Sequence, residues 1–220
     1  MSHKITRAAG VVAAAIAAVG LLSVGAANAD TFVPLPGGEI TETLADGTAV
    51  TVRIVGESAL ISPSMGATPL HRNTWVSART EVQLDGAGAK GGKIRPGYVV
   101  GCQVNIAGGG VNGQASATQP YQSQNLSASG GLGGTLSLGP GQAQSYFILD
   151  LERADAFDES VHTPHMTFGG TSGSVTWKNT TIALGGCAGY AQARAFVLVE
   201  VETSNVKETV TLWGQPFSLG

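Results

Sequence analysis

A long stretch in the middle of the chain contains no charged side chain, and this limits how that part can fold. From Gly97 to Leu149 there is no Asp, Glu, Lys or Arg, although Arg95 and Asp150 lie just outside. Charged residues make up 12% of the 220-residue chain, so about fifty average residues would carry roughly six charges. The stretch either meets an environment that excludes charge or is a neutral linker rich in Gly, Ser and Gln.

Two pieces of this stretch alternate in polarity with the two-residue period of a β-strand. In "GVNGQASAT" (110–118) and "GLGGTLSLG" (131–139), one face is weakly apolar and the other is neutral and polar. Strands that meet lipid outside and water inside show this alternation, and a charge on the lipid face costs roughly 2–4 kcal/mol. A solvated hairpin is the alternative. Two strands alone leave open edges in lipid, so a membrane role requires hairpins from several copies.

Under the membrane interpretation, residues 108–138 form an inserted stem hairpin whose two faces have different roles. The predicted lipid-facing residues are Val111, Ala115, Ala117, Leu132, Leu136 and Leu138. The residues predicted to line the pore along the strands are Asn112, Gln114, Ser116, Thr118, Thr135 and Ser137.

The rest of the chain is predicted to be all-β, mostly antiparallel and one domain over residues 30–220. Glycine accounts for 32 residues without a three-residue period, which favours turns and strands over long helices. "ADGT" (45–48) is predicted to be a hairpin turn, and the following Thr48, Val50, Val52 and Ile54 share one face of a strand. The segments 58–73 and 85–97 are expected to be loops.

The first 29 residues are typical of a cleaved signal peptide. A short basic segment precedes an apolar run, and "ANA" (27–29) is an A-x-A cleavage site. An uncleaved anchor is the alternative, because about 20 apolar residues can span a membrane. Loss of Lys4 and Arg7 would change the formal net charge from −3 to −5, so nucleic acid is not an expected partner.

The two cysteines are Cys102 and Cys187. Export and an even count predict that they form a disulfide, and two separate buried thiols are the alternative.

The sequence contains no constellation that indicates catalysis or a cofactor. No G-x-S-x-G motif lies between a strand and a helix, so a hydrolase is not expected. His162 and His165 are metal-competent residue types. On a strand they would point to opposite faces, and Pro164 excludes a regular helix between them, so a solvated loop without a metal is predicted. We therefore predict a protein that is not an enzyme and binds no cofactor.

Seven segments in order resemble the MspA-type mycobacterial porin family, the outer-membrane porins of mycolic-acid-containing bacteria. The resemblance covers about residue 39 to the C-terminus, and the last segment ends in Gly214, Pro216 and Phe217. The similar segments are "LADGTAVTV", "TPLHRNTWVSA", "GYVVGCQVNI", "LSLGPGQAQSYFI", "GSVTW", "GGCAGYAQARAFVLVEVET" and "VTLWGQPFSLG".

The resemblance implies a β-sandwich that assembles with copies of itself into an octamer. Each copy would insert one hairpin into a shared 16-stranded barrel across the outer membrane. Its partners would be membrane lipids and the small hydrophilic solutes that diffuse through. A secreted or envelope-associated sandwich of the same fold, which binds a lipid, glycan or partner and does not conduct, is the alternative.

The hairpin differs from the family pattern at its tip, where the type member has paired aspartates. Here the tip "ATQPYQSQNLSAS" has no acid. A constriction would be lined by Gln119, Gln122, Gln124 and Asn125, which implies weaker cation preference. The hairpin is also shorter, because residues 108–138 hold two membrane-crossing strands of about 9–11 residues with a tight tip and little more.

Overall fold

The computed structural model describes residues 30–63, 69–104, 135–136, 141–154 and 160–220. These residues form thirteen strands, and no helix long and apolar enough to cross a membrane occurs among them. The strands in chain order are β1 (Thr31–Pro34), β2 (Gly38–Thr43), β3 (Ala49–Pro63), β4 (Arg72–Asp85), β5 (Ala89–Cys102), β6 (Thr135–Leu136), β7 (Ala143–Phe147), β8 (Leu151–Ala154), β9 (Ser160–Thr163), β10 (Met166–Gly169), β11 (Ser172–Leu184), β12 (Ala191–Thr203) and β13 (Lys207–Ser218).

Two mainly antiparallel sheets form the fold. Sheet A has the order β1-β3-β4-β11-β6, and β2 also pairs with β3. Sheet B has the order β10-β5-β12-β13, and β7 also pairs with β5, while β8 and β9 form a separate two-stranded sheet. The pairing of β6 with β11 is parallel. This arrangement confirms the predicted all-β sandwich.

Alternate residues of each long strand fill the space between the two sheets. In β3, Val50 and Val52 are fully buried, as are Val197 and Val199 in β12. Burying one such side chain stabilises the fold by about 1.5–3 kcal/mol relative to leaving it exposed. The prediction that Thr48, Val50, Val52 and Ile54 share one face is confirmed, and the structure shows that this face is buried.

The predicted hairpin turn between β2 and β3 is also confirmed. Gly47 has φ 83°, a left-handed conformation that glycine adopts without steric cost. Its backbone N–H donates to the Leu44 carbonyl at 2.9 Å, and the Thr48 N–H donates to Asp46 Oδ1 at 3.0 Å. The Asp-Gly pair thus fixes the register of the first two long strands.

The loop predicted over 58–73 is wrong at both ends, because β3 continues to Pro63 and β4 begins at Arg72. A bulge between Val55 and Ser58 shifts the register against β4. After the bulge the inward face is carried by Glu57 and Ala59 rather than by the even-numbered residues. An unrecognised bulge therefore hides the second half of the strand from a simple period-two search.

The loop predicted over 85–97 is confirmed only for residues 86–88, because β4 ends at Asp85 and β5 begins at Ala89 and continues through Pro96. The Pro96 carbonyl accepts a hydrogen bond from the Ile148 N–H at 3.0 Å. The missing N–H of Pro96 therefore faces the same edge of β5. On that edge Pro96 lies in the gap between Ile94, the last residue paired with β10, and Gly97, the first residue paired with β7. Proline is tolerated inside this strand because it costs no ladder bond with β12.

Candidate functional site

The chain leaves sheet B after Val104 and returns to it at Gly141, and the two ends lie side by side. β5 and β7 pair antiparallel from Gly97 opposite Phe147 to Gly101 opposite Ala143. Beyond the strands, the Cys102 N–H donates to the Gln142 carbonyl at 3.3 Å, and the Gly141 N–H donates to the Gln103 carbonyl at 3.2 Å. The segment between these ends thus leaves and returns in the geometry that a hairpin requires. We call this end of the sandwich the stem end.

The predicted stem residues lie mostly outside the described part of the chain. The two that the structure describes are Thr135 and Leu136, whose backbones pair in parallel with Ala183 and Leu184 of β11. The others are Val111, Asn112, Gln114, Ala115, Ser116, Ala117, Thr118, Gln119, Gln122, Gln124, Asn125, Leu132, Ser137 and Leu138. Their assignment to the pore or to lipid stays a prediction, as do the signal peptide and the stem boundaries.

A disulfide joins the two sheets at the stem end. The Cys102 and Cys187 sulfurs are bonded and their Cα atoms are 5.9 Å apart, which confirms the predicted pairing. Cys102 ends β5 of sheet B, and Cys187 follows β11 of sheet A. The bridge closes a loop of 85 residues, which in the chain-entropy account stabilises the fold by about 4–5 kcal/mol.

Backbone hydrogen bonds reinforce this disulfide on both sides. The Cys187 N–H donates to the Leu70 carbonyl at 2.8 Å, and the Ala188 N–H donates to the Val104 carbonyl at 2.8 Å. The Gln103 N–H donates to the Tyr190 carbonyl at 2.9 Å. The two residues that follow β5 are therefore held in place up to the point where the chain leaves the sandwich.

An uncharged cleft lies beside the disulfide, with a volume of about 510 Å³. Tyr190 is 54% exposed there, and its hydroxyl accepts a hydrogen bond from the Gln192 amide at 3.2 Å. The Gln103 side-chain oxygen accepts from the Tyr190 N–H at 3.4 Å. The lining residues are Gly101, Cys102, Gln103, Gly141, Gln142, Ala143, Tyr190 and Gln192. The charge-free character of the sequence stretch thus extends to the folded surface at its base.

A carboxyl group that the sequence analysis missed lies inside the sandwich. Glu57 is 2% exposed, and neither side-chain oxygen has a hydrogen-bond partner among the described residues. A Cβ atom at Gly214 would lie 3.1 Å from one of these oxygens, so the missing side chain of that residue leaves room for the carboxyl. Burial raises the pKa of Glu57 to about 7. Gly56 was the sequence signal that could have revealed it, because an isolated glycine within a strand pattern indicates a bulge, and here this residue has φ 62°.

A buried polar pair accompanies this carboxyl. The Trp177 indole N–H donates to the Tyr98 hydroxyl at 3.3 Å across the two sheets. Burial raises the pKa of Tyr98, and the negative charge of Glu57 adds to that rise. The interior between β3, β5 and β11 therefore combines a close-packed apolar core with a small polar centre that favours the neutral form of both acids.

Of the two histidines of "HTPH", His162 lies in β9 and His165 lies between β9 and β10. His162 Nδ1 is 2.7 Å from Asp150 Oδ1 in an exposed pair. Within the ranges that the structure describes, no three His, Cys, Asp or Glu side chains are grouped so that they could hold a metal ion.

The fold and the stem end define a class of protein: a two-sheet β-sandwich with a long neutral insertion that starts from a disulfide-bonded base. Comparison with known families matches residues 46–218 to the family described as MspA. The chain belongs to the MspA family. This is a family of porins, which as a class are oligomeric, lie in the cell envelope and are not enzymes. A comparison with curated proteins finds no match.

Proposed function

We propose that the protein is an outer-membrane porin in which several copies each donate the hairpin 108–138 to one water-filled barrel. An octamer is the expected assembly by family resemblance, and small hydrophilic solutes diffuse through. The observation that carries the proposal is the stem end, where an uncharged segment leaves and returns through hydrogen-bonded neighbouring strands. A closed ring of such hairpins satisfies its own backbone hydrogen bonds in lipid, which one hairpin cannot do.

The wall of this channel follows from the alternation of the hairpin strands. The amide and hydroxyl side chains that line the water-filled interior are Asn112, Gln114, Ser116, Thr118, Gln119, Gln122, Gln124, Asn125, Thr135 and Ser137. The apolar side chains from Val111 to Ala117 and from Leu132 to Leu138 contact lipid. Since the lining has no formal charge, discrimination comes from pore width and from neutral hydrogen-bonding groups rather than from a fixed field.

Formation of this barrel requires a change in the described chain. Thr135 and Leu136 pair with β11 in the single copy, whereas the proposal places them in the barrel wall. The short parallel contact must therefore be exchanged for pairing within the ring. Two residues of parallel pairing are a small loss compared with a complete hairpin ladder, so the exchange favours the assembled state.

Planar-bilayer recording of the purified protein tests the proposal. We expect stepwise current openings, and their complete loss when residues 108–134 are deleted and replaced by a short Gly-Ser turn. The deletion variant should keep the wild-type urea midpoint, since it removes none of the sandwich strands β1–β5 or β7–β13. Continued conductance without the hairpin, or no conductance from any assembled wild-type sample, would exclude the channel.

The charge-free tip gives a sharper version of the same test. Gln122→Asp is expected to increase cation selectivity, because it places a ring of carboxylates in the constriction. The measurement is the reversal potential in a salt gradient, with Gln122→Asn as the uncharged control. An unchanged reversal potential in a conducting Gln122→Asp channel would show that the tip does not line the pore.

A non-conducting binding protein of the same fold is the second candidate, and the uncharged cleft favours it. An exposed Tyr190 ring beside the amide groups of Gln103 and Gln192 suits a neutral sugar, which stacks on aromatic faces and hydrogen-bonds to amides. Calorimetric titration with neutral oligosaccharides, with Tyr190→Ala as the control, tests this function independently of conductance.

A further inference from the structure

An aromatic row crosses the outer face of sheet B. Phe147, Gly97, Phe196 and Trp213 lie directly opposite one another on β7, β5, β12 and β13. The ring centroids of Phe196 are 5.8 Å from Phe147 and 5.6 Å from Trp213. A Cβ atom at Gly97 would lie 2.5 Å from the Phe196 ring, so this glycine makes room for the ring. Trp213 remains 44% exposed. We call this set row B.

A second row crosses the outer face of sheet A. Phe32, Leu60, Trp75 and Thr181 lie opposite one another on β1, β3, β4 and β11. Their strand neighbours Ala59 and Val76 are fully buried, so the members of the row point away from the core. Phe32 is 64% exposed. We call this set row A.

The two rows are equally wide and lie at similar distances from the stem end, although they are on opposite faces of the sandwich. Each crosses four adjacent strands, which at about 4.8 Å between strands is about 14 Å. Along the strands, Trp75 is about 10 Å from Arg72, where β4 begins, and Gly97 is about 17 Å from Cys102, where β5 ends. Both rows therefore lie in the half of the sandwich nearer the stem end.

We propose that row A of one copy packs against row B of the next copy, and that this contact builds the ring. The inference rests on the proposed function, which needs several copies around one axis. A ring requires a heterologous contact between two different surfaces of the same chain. Rows at similar heights on opposite faces supply such a pair, whereas a two-fold contact of one row with itself would leave the other row uncovered.

The chemistry of row B favours a protein partner over lipid. The Arg194 guanidinium lies 5.0 Å from the Trp213 ring centroid, and Trp, Phe and Arg are enriched at the centres of protein interfaces. Beside the row, Arg95 Nη2 and Glu200 Oε1 form an ion pair at 2.9 Å. The Arg194 charge on the Trp213 ring would be costly in hydrocarbon, whereas Arg beside aromatic rings is common in protein interfaces.

Site-directed cross-linking tests the contact without removing an aromatic side chain. Thr181→Cys places a thiol at the end of row A, and Thr211→Cys places one on β13 beside row B. The native cysteines are joined in the disulfide and do not compete. With a short bis-maleimide, a mixture of the two single variants is expected to give cross-linked dimers, each variant alone should give none, and the double variant should give a ladder ending in a closed ring.

The control variants are Thr41→Cys on sheet A and Lys207→Cys on sheet B, both outside the rows. Replacing either reactive partner by its control should remove the cross-link. If one variant cross-links with itself, or if a sample that conducts shows no cross-link, the proposed contact is wrong while the channel proposal is unaffected. If cross-linked rings form but never conduct, the channel proposal is wrong while the contact is supported. If the sample stays monomeric, the contact is wrong.

A substitution pair gives a second readout. Phe32→Ala and Trp213→Ala are each expected to shift the monomer–ring equilibrium at least tenfold toward monomer in analytical ultracentrifugation. Phe32 is mostly exposed, so the urea midpoint of the Phe32→Ala monomer should change little, whereas Trp213→Ala also removes the contact with Phe196 and should lower that midpoint. Val55→Ala is the control, because Val55 is an exposed apolar residue outside both rows. Equal assembly of all three variants, with Trp213→Ala alone losing binding to lipid vesicles, would assign row B to lipid and overturn the contact.

Discussion

The two ends of the sandwich are built differently. At the stem end, the cleft is lined by uncharged residues, and a disulfide between Cys102 and Cys187 joins the sheets. At the opposite end, which we call the turn end, charged Asp46 lies in the turn between β2 and β3. Hydrogen bonds hold this end, among them the Asp46 contact to the Thr48 N–H at 3.0 Å and the Ser204 N–H to the Gly88 carbonyl at 2.9 Å.

This difference follows from how the chain continues at each end. A tight turn closes its own short loop, so local hydrogen bonds suffice to order it. At the stem end the chain leaves sheet B after Val104 and returns only at Gly141, and closing a loop of that length costs more conformational entropy. A covalent bridge restricts the unfolded chain and so offsets that cost. The uncharged lining of the cleft at the same end suits a surface next to lipid.

The largest effect, on conductance, is expected from locking the contact between the predicted stem hairpin and the sandwich. Thr135 and Ala183 are backbone register partners, so the double variant Thr135→Cys/Ala183→Cys can form a bridge in the single copy. Because the proposal requires this pairing to be released, the oxidised protein should not conduct in planar bilayers. A mild reductant should restore stepwise openings, since both native sulfurs are buried and react more slowly.

Ala183→Cys alone is the control for this lock and should conduct under both conditions. Normal openings from fully oxidised double variant would mean that residues 135–136 stay on the sandwich in the channel. The barrel wall would then have to begin closer to the hairpin tip than residue 135.

The next largest effect concerns the disulfide. The double variant Cys102→Ser/Cys187→Ser is expected to lose about 4–5 kcal/mol of unfolding free energy, because the 85-residue loop is no longer closed in the unfolded chain. At the turn end, Gly47→Ala should lower the free energy of unfolding by only about 1 kcal/mol, because alanine is strained at the positive φ of this position. Urea denaturation of both variants measures the contrast, and equal losses would contradict the different construction of the two ends.

The features predicted correctly are those that local chemistry determines. The Asp46-Gly47 turn, the shared face from Thr48 to Ile54 and the cysteine pairing required only turn propensity, alternation and export. The wrong predictions concern strands in which one residue changes the register. The bulge before Ser58 reverses which side chains face the core. Pro96 is tolerated only because it lies between the residues of β5 that pair with β10 and those that pair with β7. Such features depend on neighbouring strands, which a single sequence does not reveal.

In the candidate site, too, some features could be predicted from the sequence and others could not. The charge-free stretch is visible in the sequence and predicts where the proposed stem starts. The cleft beside Tyr190 and the buried Glu57 carboxyl depend on strands far apart in the chain, since the latter faces Gly214 across the sandwich. The outer aromatic rows likewise follow from register across four strands rather than from any local pattern.

A third effect is expected from Glu57, which lies between the two ends. Burial raises its pKa from 4.5 to about 7 in the folded protein, so the folded state binds a proton more tightly than the unfolded chain. Stability should therefore be highest below about pH 4.5 with respect to this group, fall as the pH rises toward 7, and level off above it. The total loss is about 3 kcal/mol.

Urea midpoints of wild type and Glu57→Gln between pH 4 and 8 measure this loss. The neutral, similarly shaped Gln side chain should remove the decline and make the variant more stable than wild type at pH 8. Glu42→Gln, at an exposed position of β2, is the control and should keep the wild-type profile. A parallel decline in wild type and Glu57→Gln would assign the pH dependence to other groups.

The smallest effect, of opposite sign, is expected at the turn end. Hydrogen bonds from the Thr203 side chain and then from the Thr48 backbone lower the pKa of Asp46 below 3.8. Its stabilising contribution is therefore complete above about pH 3.8 and is lost as the pH falls through the lower folded value. Asp46→Asn should reduce the drop in urea midpoint between pH 5 and 2, while Asp85→Asn, at the exposed end of β4, should not. Because Asp46 is solvated, this acid-side change should be smaller than the Glu57 effect on the alkaline side. If the two were equal, the exposed turn would be as tightly coupled to folding as the buried carboxyl.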